Sequence, residues 1–235
     1  MFAYVARQPI FDRENSLFAY ELLFRDSEEN CFPDISADEA TSKILTGNHL
    51  SFGVEEVCCN KVAFINFHQD TLLYRFPTSL DPTNVVIEIL ETVKLTTNLL
   101  SACKHIGNLG YKLALDDYDF HPRWDALLPL VHYVKVDIQE VGLTLMEARL
   151  EKLRLSKLKL IAEKVQTYAE FNHCRELGFD YFKGFYLASP EIVKHKQMGT
   201  SKLSLLELVA VSSGSNFDYE KVNQVLQRDV GLSFM

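Results

Sequence analysis

Seven short apolar runs in this chain each end in polar residues suited to metal or phosphate chemistry. They end at Glu21 in AYELLFR, Asn66 in VAFINF, Glu88 in VVIEIL, Asp116 and Asp117 in KLALDD, Lys135 and Asp137 in YVKVDI, Glu163 in KLIAEKV and Lys183 in YFKGF. Glu21, Asn66, Glu88 and Asp116 offer three carboxylates and one amide oxygen, the hard oxygen donors that Mg²⁺ and Mn²⁺ prefer. Asp117 adds a donor for a second ion, provided that it sits where its strand passes into a loop, because adjacent strand residues point to opposite faces. Two ions a few ångströms apart clamp the attacking and leaving oxygens of a phosphodiester displacement. Lys135 and Glu163 would then orient the water or a phosphate oxygen. One strand-end carboxylate alone is ordinarily a helix cap or a surface ion pair. Seven runs agreeing in phase point to a shared active face.

Residues as far apart as Glu21 and Lys183 meet only if the fold brings all the strand ends to one rim, as a closed parallel barrel does. The sequence supplies the elements. Residues 2 to 25 read as two strands around the polar turn Asp12-Arg13-Glu14-Asn15, an antiparallel hairpin. Ser36 to Glu39 form a capping box ahead of a first long helix over 40 to 50. Regular alternation follows: strand 62 to 67, helix 68 to 75, strand 84 to 90, helix 96 to 107 closed by Gly107 and Gly110, and strand 112 to 117. It continues with strand 133 to 138, helix 144 to 155, strand 159 to 165, helix 167 to 177 closed by Gly178, and strand 181 to 187. Such alternation predicts an α/β fold, a parallel sheet flanked by helices.

Beyond Pro190 the pattern changes to a polar stretch over 191 to 202, an apolar run SLLELVAV and a small-residue linker over 212 to 216. Val222, Val225, Leu226 and Val230 have helical spacing, but the chain stops before that helix has anything to pack on. The expected division is a barrel domain over 1 to 200, then a linker and the start of a truncated helical domain over 201 to 235.

With 235 residues and 47% hydrophobic content the chain can build one sizeable core. A net charge of −8 argues against broad binding to nucleic acid or an anionic membrane. No apolar stretch reaches the roughly 18 residues of a membrane span, and the N-terminus lacks the pattern of a signal peptide, so a cytoplasmic location is expected. Five irregularly spaced cysteines without a CxxC pair predict inert thiols instead of a disulfide framework or structural zinc.

The segment Tyr20-Glu21-Leu22-Leu23-Phe24-Arg25 resembles the signature of EAL domains, the cyclic-di-GMP phosphodiesterases. Over residues 3 to 190 the resemblance extends through Gln8-Pro9-Ile10, Asn66, Glu88 and Glu91, Asp116-Asp117-Tyr118, Lys135-Val136-Asp137, Ala162-Glu163 and Gly184-Phe185-Tyr186. It implies a modified (β/α)8 TIM-like barrel whose first strand runs antiparallel to the rest, in agreement with the predicted hairpin. It also implies that Glu21, Asn66, Glu88 and Asp116 hold the catalytic Mg²⁺ or Mn²⁺, with Asp117 serving a second ion. Lys135 and Glu163 would position or activate water, Gln8 and Arg25 would contact cyclic-di-GMP, and the product would be linear pGpG. Pairing of two copies is a further implication.

Three positions depart from the family pattern. Gln166 stands where a second glutamate usually follows Glu163, and Lys183 stands where a glutamine usually precedes the GF pair, so Lys183 brings a cation to the substrate and metal pocket. The loop Tyr118-Asp-Phe-His-Pro-Arg-Trp124 replaces a glycine-bearing segment and is expected to follow a different backbone path. In that loop His121 is expected to be exposed and Trp124 to pack. The departures resemble the branch in which an EAL domain precedes an HDOD domain, and the segment from Asp218 is similar to the opening helix of such a domain. A weak phosphodiesterase is therefore expected, the alternatives being a cyclic-di-GMP receptor without turnover or a protein-interaction scaffold acting through its surface, and a protein partner is expected to be contacted through the HDOD-like part.

Overall fold

In this computed structural model the described residues are 2–25, 54–74, 80–154 and 157–196. The predicted hairpin is present: β1 (Phe2–Asp12) and β2 (Leu17–Arg25) pair antiparallel, with Gln8 opposite Glu21. Its turn is fixed by side-chain chemistry. Asp12 Oδ1 accepts from the backbone N–H groups of Glu14 at 3.0 Å and Ser16 at 2.8 Å, and Asn15 takes the left-handed conformation (φ 59°) that asparagine tolerates.

The chain then alternates through α1 (Val54–Val57), β3 (Val62–Phe67), α2 (Gln69–Tyr74), β4 (Val85–Ile89), α3 (Thr97–Asn108) and β5 (Lys112–Leu115). Two short 3₁₀ turns, Pro122–Ala126 and Leu128–Leu130, lead to β6 (Tyr133–Asp137). After it come α4 (Ile138–Val141), α5 (Leu143–Arg154), β7 (Lys159–Glu163), α6 (Tyr168–Leu177), β8 (Tyr181–Phe182) and β9 (Glu191–Lys196). β2 through β8 pair in order and in parallel, and β1 closes the ring by pairing antiparallel with both β2 and β8. The fold is thus the modified TIM-like barrel with an antiparallel first strand, within a compact unit of Tyr4–Lys194.

Helix boundaries follow capping chemistry. Thr96 Oγ1 accepts from Leu99 N at the start of α3, and Thr167 with Glu170 forms a reciprocal capping box on α6, which ends at Gly178 with φ 100°. The buried stripes Leu99, Cys103, Ile106 and Phe171, Cys174, Leu177 press these helices onto the barrel wall. Among the described residues Cys58, Cys59, Cys103 and Cys174 are free thiols, all buried except Cys59.

The short helices α1 and α4 are not among the expected elements, the strand expected over 112 to 117 ends at Leu115, and two further differences concern the end of the barrel. The strand expected over 181 to 187 stops at Phe182, because residues 185–187 turn back instead of continuing the ladder. The polar stretch after Pro190 contributes an extra strand, β9, beside β1. Its polarity suits an edge strand, and Arg7 of β1 ties it down through Glu191 at 3.0 Å while also donating to Val57 O at 2.6 Å. The helix expected over 40 to 50 and the helical segment over 201 to 235 lie outside the described residues.

Candidate functional site

The barrel interior is built in layers, and the layering explains why the strand-end residues converge. Ile10, Ala19, Phe64, Val86, Ala114, Tyr133 and Ile161 form one buried inner cluster, with Tyr181 packed against it. Side chains two apart on a strand share a face. Two residues further toward the C-terminal rim on β2 to β8 therefore come Glu21, Asn66, Glu88, Asp116, Lys135, Glu163 and Lys183. β1 runs the other way, so its residue in that layer is Gln8, two before Ile10. Each of the eight strands of the ring contributes one polar residue over an apolar floor sealed by aromatic contacts such as Phe64 on Tyr133, 5.2 Å between centroids.

Lys135 occupies the centre of this layer and is fully buried. Its Nζ lies 2.6 Å from Asp116 Oδ1, 2.8 Å from Glu88 Oε1, and 3.2 Å from both Glu21 Oε1 and Glu163 Oε1. Burial alone would discharge this ammonium, but Asp116, Glu163, Glu21 and Glu88 around it hold it protonated, well above its ordinary range. Lys183 is a second cation, paired with Glu21 Oε2 and 2.5 Å from Glu163 Oε1. Burial opposes its charge too, yet Glu163 and Glu21 raise it.

The carboxylates respond unequally. Burial pushes Glu21 up, but Lys135 and Lys183, one on each oxygen, override it and bring the acid down to about 2. Burial dominates at Asp116, raised to about 7, and at Glu88, raised well above the ordinary range, where Lys135 alone lies in direct contact. Glu88 Oε2 is buried and has no hydrogen-bond partner, a costly state for an anion unless a cation approaches. Asn66 stands in register beside Glu88 on β3. With Glu21 and Asp116 these residues form an all-oxygen donor set that fits a divalent cation.

Asp117 joins the pocket in the way its position requires. It lies two residues past the end of β5, and its left-handed backbone (φ 40°) brings its carboxylate close to that of Asp116. Oxygens of Glu91, Asp116 and Asp117 lie within 4.8 Å of one another. Glu91 belongs to the family resemblance but not to the expected ligands; its place three residues after Glu88, just past the end of β4, is the sequence signal for it.

Several neighbours have structural duties. Asp137 caps α4, accepting from Gln139 N at 2.9 Å and Glu140 N at 3.2 Å, and pairs with Lys164. His121 is exposed and caps the 3₁₀ turn through Nδ1, and Trp124 is fully buried with its indole N–H donating to Asp119 at 2.8 Å. The glycine-free loop still uses the left-handed region twice, at Asp117 and at Phe120 (φ 62°). Gln166 is exposed at the start of the α6 cap, and Lys135 is held by four other carboxylates, so loss of an acid at 166 does not release it. The side chain of Arg25 lies outside the described residues.

Lys183 is placed by a tight backbone crossing. Lys183 N–H donates to Ala162 O at 2.8 Å, and Val165 N–H donates to Lys183 O at 3.1 Å. Gly184 then passes so close to β7 that a Cβ there would sit 2.1 Å from Val165 O. Only glycine fits, and this crossing sets Lys183 beside Glu163.

No protein-family model matches the chain. It is 36% identical over 236 residues, 98% of its length, to the cyclic di-GMP phosphodiesterase CdgJ of Vibrio cholerae, covering 54% of that protein. The chain spans little more than half the length of the curated relatives it matches, 54% and 58%. Among solved structures, an EAL domain protein from Listeria monocytogenes superposes with a TM-score of 0.65 over 80% of this chain and 88% of that one, at 19% identity. The YkuI protein of Bacillus subtilis, with an EAL domain in complex with c-di-GMP and calcium, gives 0.65 over 95% of this chain and 73% of that one, at 16% identity. With the ring of strand-end residues in place, the chain shares the barrel fold of these EAL domain proteins and is similar along 98% of its own length to a cyclic di-GMP phosphodiesterase.

Proposed function

We propose that this barrel binds cyclic-di-GMP together with a divalent cation, Mg²⁺ or Mn²⁺, and hydrolyses it slowly to pGpG. The observation that carries the reading is the single layer of Glu21, Asn66, Glu88 and Asp116 around Lys135, with an unpartnered Glu88 oxygen in it. Glu21, Asn66, Glu88 and Asp116 would hold the ion, and Asp117 with Glu91 extends the donor set. When bound, the ion supplies electrostatic stabilisation of phosphate charge and lowers the pKa of water. Lys135 keeps the carboxylates together and presents a cation to a phosphate oxygen. Glu163, buried on β7 against both ammonium groups, accepts the proton of the attacking water, with Asp117 beside it. Gln8, on the rim opposite Glu21, and Arg25 at the end of β2 contact the dinucleotide.

The test is incubation of the purified protein with cyclic-di-GMP and Mg²⁺ or Mn²⁺, resolving pGpG by chromatography. Glu21→Ala is expected to abolish the product. Product independent of Glu21 would overturn the assignment. A receptor without turnover is the second reading, favoured by one observation: both oxygens of Glu21 are engaged by lysines. Tight dinucleotide binding with no product would select it.

The segment from Asp218, similar to the opening helix of an HDOD domain, supports reading residues 201 to 235 as HDOD-like, a part that would carry contact with a protein partner. No helix of the described residues is long and apolar enough to cross a membrane, which suits a cytoplasmic protein. Pairing of two copies is to be checked by light scattering.

A further inference from the structure

Two cations sit in the carboxylate layer, and they differ in how they are held. Lys135 touches four acids and can yield one of them while keeping three. Among the described residues Lys183 pairs with Glu21 and Glu163, reaching across from β8 to join strands β2 and β7. Glu21 Oε1 faces Lys135 and Oε2 faces Lys183, so neither oxygen is open, whereas Glu88 Oε2 is. A metal ion that takes Glu21 as a ligand must displace an ammonium from it, and two cations this close repel strongly in a dry pocket.

We propose that Lys183 is a built-in counter-ion for Glu21 and Glu163 that competes with the divalent cation, so that metal binding requires the Lys183 ammonium to leave Glu21. This rests on the reading above that the pocket takes a divalent ion. In the metal-free protein Lys183 neutralises Glu21 and Glu163, whose charges would otherwise be buried with only Lys135 to share, an arrangement that is destabilising when a partner is removed. In the metal-bound protein the same ammonium is pushed toward Glu163. Lys183 is thus a specificity-setting residue: it raises the metal concentration at which the pocket fills.

Titration calorimetry with Mn²⁺ on the wild type, Lys183→Gln and Lys183→Arg tests this, alongside melting temperature without metal. Lys183→Gln is expected to bind Mn²⁺ at least tenfold more tightly and to melt at lower temperature without metal. Lys183→Arg, which keeps the charge, is expected to stay within a fewfold of wild-type affinity. Should Lys183→Gln be unfolded without metal, its refolding at Mn²⁺ concentrations below those that saturate the wild type would support the same conclusion. Equal Mn²⁺ affinity in wild type and Lys183→Gln would overturn the role of Lys183 and leave the metal site standing. Tightening by Lys183→Arg equal to that by Lys183→Gln would also overturn it, since charge would not be the cause. Absence of Mn²⁺ binding by all three proteins would overturn the metal reading and this inference together.

Discussion

Asp116 and Glu21 share one pocket and one lysine, yet their acidities move in opposite directions, and the number of cations each touches is the reason. Asp116 is raised to about 7, first by burial and then by Glu163 and Glu21, with Lys135 opposing. Its carboxyl releases its proton far more readily in the unfolded chain, near the ordinary value of 3.8. Between these values the folded state binds more protons than the unfolded state, so stability falls as pH rises. The metal-free protein is expected to lose melting temperature as pH climbs from about 4 to about 7, and saturating Mn²⁺ should flatten that slope; calorimetry over this range is the check. Glu21, lowered to about 2 from 4.5, has the opposite sign: its contribution is complete above 4.5 and disappears as pH falls toward about 2. Lys135→Met would strand four carboxylates without their shared cation and is expected to cost on the order of 3–5 kcal/mol in urea unfolding at neutral pH without metal.

At the level of elements, two connections matter more than the helices between them. After β7 and β8 the chain crosses itself at Gly184, where any side chain meets the backbone of Val165. Gly184→Ala is expected to destabilise by about 3 kcal/mol, because relief of the clash with Val165 moves Lys183 and Glu163 apart; a denaturant melt would show it. After β5 the loop reaches the left-handed region at Asp117 and Phe120 without glycine, strain of about 1–2 kcal/mol per residue. Buried Trp124, bonded to Asp119, and the His121 cap hold that loop in place. Trp124→Ala is expected to cost about 3–5 kcal/mol and to loosen Asp117, which a fall in Mn²⁺ affinity together with a lower denaturation midpoint would report.

For the barrel as a whole, the carboxylate layer trades stability for ligand binding. Buried acids with incomplete neutralisation weaken the metal-free state, so a cation that binds only the folded form raises the melting temperature by mass action. At a free Mn²⁺ concentration one hundred times its dissociation constant the gain is about 2.7 kcal/mol. Glu88→Gln is expected to reduce the Mn²⁺-induced shift, because a neutral amide replaces an anionic donor, while changing the metal-free melting temperature little, because burial already favours the uncharged acid at this position. A scanning fluorimetry series with and without Mn²⁺ separates the two effects.

Much of this protein was legible in its residue order. The period of two on each strand, the turn at Asp12 to Asn15, the threonine caps and Gly178 act over a few residues, and so the hairpin, the alternation and the ring of strand-end residues could be read directly. The same local logic told that Asp117 could join Asp116 only at a strand end. What tertiary structure decided depends on residues far apart in the chain. Lys183 meeting Glu21 across β1, Lys135 shared among four strands, Glu91 beside Asp116, and β9 docking through Arg7 and Glu191 all arise when the barrel closes. Composition shows how many charges there are; only closure decides which carboxylate keeps its cation and which is left with a bare oxygen.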